Sequence, residues 1–177
     1  MEQCILIENV RIFNGTNEKL LQGNILIEDN KIKTISENPI QVAENTNVII
    51  IDGRGKFLIP GLIDAHWHAY LSCNTMMDLL TADNGYTQLK AGREAEATLQ
   101  RGFTTIRDAG GPVFGLKRAI DEGIITGPRI YPSGSLISQT GGHGDFRAIY
   151  EEPRPFDCCG LTHTEEICLL YTSDAAD

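Results

Sequence analysis

The chain has 177 residues, 41% hydrophobic and 22% charged, which is enough apolar material for one folded domain, or part of a larger one, and too much for wholesale disorder. Fifteen basic residues against 24 acidic ones give a formal net charge of −9, with no basic stripe to meet a nucleic-acid backbone. No apolar run approaches the roughly 20 residues of a membrane span, and the N-terminus lacks the basic and apolar regions of a secretory leader. The five cysteines are too irregularly spaced for a disulfide framework, so a reduced, cytoplasmic setting is expected.

Residues 4 to 35 alternate with the two-residue period of a half-buried strand: Ile5 and Ile7, Val10 and Ile12, Ile25 and Ile27, Ile32 and Ile35. Asn14–Gly15 and the "EDNK" of residues 28–31 supply turn chemistry between these runs. "NVIIIDGRGK" adds a strand over Val48 to Ile51, closed by two glycines. A small β-layer is expected over residues 1–55.

From Lys56 the pattern becomes strand, helix, strand, helix. "FLIPGLIDAH" is a continuous apolar run, the mark of a strand buried on both faces. Good helix formers fill residues 86–101, "YTQLKAGREAEATLQR". "GFTTIRDAGG" is a second strand, and "VFGLKRAIDEG" a helix with Val113, Leu116 and Ile120 on one face and Gly123 at its end. "GPRIYPSG" is a third strand. Alternation with short links predicts an α/β fold with parallel strands. Three βα units fall short of the eight, and about 250 residues, of a closed (β/α)₈ barrel.

Chemistry concentrates in "IPGLIDAHWHAY", residues 59–70. Side chains two apart on a strand point the same way, so His66 and His68 share a face while Trp67 turns toward an outer helix. Two imidazoles on one face can chelate a single borderline-soft cation such as Zn²⁺. Asp64, two residues earlier, is expected to support the pair by a hydrogen bond rather than to ligate. Arg107 and Asp108 end the second strand and could form an ion pair or serve catalysis. Met76 and Met77 are expected to pack a loop or short helix near the site. His143 lies between glycines in "TGGHGDF", where the backbone can approach a ligand closely. Cys158 and Cys159 have no metal-binding partners in the sequence, and His163 sits in no motif.

Together, "ILIENVRIFNG", "IDGRGKFLIPGLIDAHWH", "GFTTIRDAGG" and "SQTGGHGD" resemble the amidohydrolase superfamily of metal-dependent hydrolases, within it the prolidase-like and imidazolonepropionase-related group. The resemblance implies a (β/α)₈ barrel holding one or two divalent metals, usually zinc. A flanking β-sandwich is implied, with residues 1–55 as its N-terminal half and residues 56–167 as the first three βα units of the barrel. It makes His66 and His68 metal ligands and His143 a substrate contact. It also implies hydrolysis of small-molecule amide or dipeptide C–N bonds by metal-activated hydroxide, with cyclic-amide hydrolysis, deamination and a non-catalytic scaffold as alternatives. The family's bridging lysine, later histidines and catalytic aspartate match nothing up to residue 167, so these 177 residues alone are expected to be an inactive, incomplete barrel. The final "CLLYTSDAAD", residues 168–177, matches one reading frame of a sequencing-library adapter and is expected to be non-native. Homo-oligomerisation of the full-length form is left open.

Overall fold

The computed structural model describes residues 4–43, 47–136 and 142. The chain divides into two compact units, Met1–Pro60 and Gly61–Asp177, giving a mixed α/β protein.

The first unit holds β1 (Cys4–Ile12), β2 (Leu21–Glu28), β3 (Lys31–Ser36), β4 (Val48–Asp52) and β5 (Phe57–Leu58). They form one sheet in the order β3-β2-β1-β4, with β5 also paired to β1. β2 and β3 meet antiparallel around the expected turn, where Glu28 faces Lys31 across a two-residue loop and Asp29 adopts a left-handed φ of 54°. β4 and β5 both run parallel to β1.

Simple alternation does not survive along β1. The register against β2 shifts between Ile7 and Val10, and Asn9 takes a φ of 58°. This is a β-bulge, stabilised by the Asn9 N–H donating to Asn24 Oδ1 at 3.0 Å. Cys4 and Leu6 consequently pack with Leu26 in one cluster, while Val10 and Ile12 pack with Ile25 in another.

The apolar run read as a single strand is two strands in two sheets. Phe57–Leu58 pairs with β1; after Pro60, which has no N–H for a ladder, β6 (Leu62–Trp67) begins in the second unit. At the junction a side chain on Gly61 would collide with Thr104.

The second unit continues with α1 (Ala69–Cys73), α2 (Met76–Thr81), α3 (Asn84–Gln100), β7 (Phe103–Asp108), α4 (Phe114–Asp121) and β8 (Arg129–Pro132). The strands are parallel, in the order β6-β7-β8. Helix α3 starts two residues before the expected Tyr86 because Asp83 caps it, accepting from the Gly85 N–H at 2.8 Å. Its Ala91 and Ala95, one turn apart and fully buried, allow close approach to Trp67, Tyr70, Ile106 and Ile130. Helix α4 buries Leu116 on the expected face, and Gly123 follows its C-cap with a left-handed φ of 71°.

Burial of β6 on both faces is corrected. Leu62 is 42% and Ile63 72% exposed, and the buried cluster of this unit joins Trp67, Ile106 and Ile130 of the sheet to its helices without including either of them. Met76 and Met77 do not pack either, being 47% and 67% exposed on the first turn of α2. That helix packs through Leu79 and is held further by polar groups: a Thr75–Asp78 capping box and the Lys90–Asp78 ion pair at 3.0 Å. Among the described residues no helix is long and apolar enough to cross a membrane.

Candidate metal centre

At the C-terminal end of β6 the chain alternates His66, Trp67, His68. Trp67 enters the helix-side core at 8% exposure, which leaves the two imidazoles adjacent. Their centroids lie 5.1 Å apart with the planes at 74°. Two imidazoles on one tetrahedral Zn²⁺, with Zn–N about 2.0–2.1 Å and nitrogen about 1.1 Å from its ring centre, hold their centroids roughly 5 Å apart. The observed spacing of the two rings matches that value. Among the described residues no group of three or more His, Cys, Asp or Glu gathers around one point.

Each histidine has its own support. Before His66 the register of β6 against β7 shifts, since Asp64 faces Ile106 but Trp67 faces Asp108, leaving one extra residue on β6. The freed backbone groups are satisfied locally. The His66 N–H donates to Asp64 Oδ1 at 3.0 Å, and the Ala65 carbonyl accepts from Arg107 Nη1 at 3.4 Å. Asp64 is thus joined to His66 through the main chain of a bulge, not merely by strand alternation.

His68 is the N-cap of α1, yet its side chain does not cap the helix. The cap comes from Asp108 at the end of β7: Ala69 N–H donates to its Oδ2 at 2.8 Å and Gly110 N–H to its Oδ1 at 3.0 Å. His68 Nδ1 lies 3.4 Å from the carbonyl oxygen of Gly110. Asp108 is completely buried. Burial pushes its carboxyl above the ordinary aspartate range, against the two backbone N–H groups and the nearby His68, which favour the charged form.

The suggested Arg107–Asp108 ion pair does not form. Neighbours on a strand point to opposite faces, so Arg107 is exposed while Asp108 is buried. Asp108 as a helix cap was missed by sequence reading, because the helix that it caps starts 39 positions earlier in the chain. His143, His163, Cys158 and Cys159 lie outside the described residues.

Comparison with known proteins shows which family the sequence matches. Residues 57–166 match the sequence model of the Amidohydrolase family. The ochratoxinase of Aspergillus niger is 37% identical over 141 residues, which is 76% of this chain and 29% of that protein. An adenine deaminase of Clostridium perfringens is 38% identical over 68 residues, 38% of this chain and 12% of that protein. Among solved structures, a prolidase complexed with N-methylphosphonate-L-proline is 33% identical with a TM-score of 0.78, covering 92% of this chain and 40% of that one. The chain spans less than half the length of each of these relatives.

Proposed function

The chain belongs to the amidohydrolase family, and from that premise we propose that its parent protein is a metal-dependent hydrolase of amide C–N bonds in small molecules, dipeptides or N-acyl amino acids with a free carboxylate. The observation that carries this is the pair His66, near the end of β6, and His68, just after it, with ring centroids 5.1 Å apart. Likeness to a prolidase with a proline-based phosphonate bound supports the dipeptide class.

In this reading β6 to β8 and their helices are the first three units of a (β/α)₈ barrel, which was expected from residue 56 but starts after Pro60, since Phe57–Leu58 pairs with β1. The strands before it are half of a β-sandwich, and residues 168–177 are not native. The mouth of such a barrel is where strand ends converge on substrate, which suits histidines at the end of β6. His66 and His68 would hold zinc, as one of one or two divalent ions, through a ring nitrogen each. When bound, the metal supplies Lewis acidity toward a carbonyl and acidifies water. Asp64 steadies His66, and His143 contacts substrate. Two ligands are fewer than the three of a catalytic zinc site, so the remaining ligands and the catalytic aspartate are assigned to other parts of the parent protein.

The test uses the full-length protein, with zinc content and dipeptide hydrolysis as readouts. Chelation, His66→Ala and His68→Ala should each lower bound metal and kcat/KM together. A metal contribution of several kcal/mol corresponds to a loss of roughly a thousandfold or more. Undiminished turnover in either histidine variant removes the metal assignment.

A second reading is an aminohydrolase of the deaminase type, favoured by the 38% identity of a 68-residue segment to an adenine deaminase. Ammonia release from aminopurines, without cleavage of dipeptides, would select it.

A further inference from the structure

Asp108 is the one fully buried carboxylate among the described residues, and the proposed reaction gives it no task. Both its oxygens are committed to backbone N–H groups, and both groups flank His68. Ala69 N–H belongs to the peptide directly after His68. Gly110 N–H belongs to the residue whose carbonyl oxygen faces His68 Nδ1 at 3.4 Å. One carboxylate thereby fixes the main chain beneath the imidazole and the acceptor beside it.

We propose that Asp108 is a positioning residue that determines which nitrogen of His68 is presented to the metal. A carbonyl oxygen can only accept, so the Gly110 carbonyl requires the proton on Nδ1 and leaves the Nε2 lone pair free for a cation. Ligating histidines are commonly oriented in this way by a partner on their other nitrogen. Here that partner is a peptide carbonyl, and its location depends on a buried acid 40 positions along the chain. An ionised carboxylate suits the role because it accepts from two N–H groups at once. An amide of the same shape accepts at its oxygen only and turns its NH₂ against the second N–H. This inference rests on the reading of His68 as a metal ligand.

The experiment uses the full-length protein and zinc as the probe. Wild type, Asp108→Asn, His68→Ala and Thr75→Ala are compared in the metal-free form. Zinc affinity is measured by chelator competition, and the His68 tautomer by ¹⁵N NMR at a pH where the ring is neutral. Thr75→Ala removes the α2 cap without touching the histidines and serves as a control for general destabilisation. Asp108→Asn should weaken zinc binding about 10–100-fold and shift His68 from the Nδ1–H tautomer toward a mixture. Thr75→Ala should leave both unchanged while lowering Tm. If Asp108→Asn keeps wild-type affinity and tautomer while His68→Ala loses zinc, the positioning role is overturned and the metal reading stands. Zinc affinity unaltered in His68→Ala instead overturns the metal reading, and the inference with it. A wild-type His68 protonated on Nε2 overturns the inference even if Asp108→Asn fails to fold.

Discussion

Ile106 shows what a single side chain contributes here. It is wholly buried in the second unit between the sheet and the helices, packed with Trp67, Ala91, Ala95 and Ile130. Ile106→Ala should cost about 2–5 kcal/mol through lost burial and a residual cavity. Leu89→Ala, at a residue 77% exposed on α3, should stay within about 0.5 kcal/mol. Denaturant midpoints of the two variants in the full-length protein test this, and equal shifts would refute the packing argument. Residues differ in the same way in how readily sequence discloses them. The spacing of His66 and His68 is their geometry, because a strand places every second side chain on one side. The task of Asp108 is hidden, because one of the N–H groups it satisfies belongs to Ala69, 39 positions away and brought near only by β6–β7 pairing.

Helix α2 is tied to α3 by an ion pair. Asp78 closes its capping box with Thr75 and bonds Lys90 of α3 at 3.0 Å. The hydrogen bond from the Lys90 ammonium, then those from Thr75, hold the Asp78 carboxyl below its ordinary value and favour the ionised form. A lowered folded-state pKa means that the unfolded chain binds the proton more readily. The stabilisation is present above the usual carboxylate value of 3.8 and is lost as pH falls through the depressed one. Asp78→Asn should therefore lower the Tm of the full-length protein at neutral pH, and the gap from wild type should close on acidification below pH ~4. A gap independent of pH would show that the charge contributes nothing. Longer elements declared themselves in the sequence, since α3 is rich in good helix formers over 17 residues, α4 carries apolar residues at helical spacing, and β1 to β3 show stretches of two-residue alternation. α1 and α2, with five and six residues, are too short for a period to emerge, and β5 has only two residues.

For the 177-residue chain as a whole, the parallel order β6-β7-β8 was legible from strand–helix alternation, whereas burial was not. A run such as "FLIPGLIDAH" records what a strand can bury, not whether a partner is present to bury it. Ile63 and Tyr131 stand on the face of the sheet opposite the helices, 72% and 57% exposed. Apolar surface of this kind favours association. The isolated 177-residue chain should elute larger than a monomer in size-exclusion chromatography with light scattering, and Ile63→Lys should reduce its mass. A monomer that melts cooperatively would contradict this. In the first unit, β1 carries most of the pairing, with β4 alongside its first half, β5 alongside its second, and the surplus residue near Asn9 between them. That residue is a phase slip in the strand on which the sheet is hung. Deleting it would turn Val10 and Ile12 over together, an inversion that no single substitution in the strand could produce. Changes of length are thus far more dangerous at this point than in the connecting loop at residues 13–20, where an added residue alters no pairing phase.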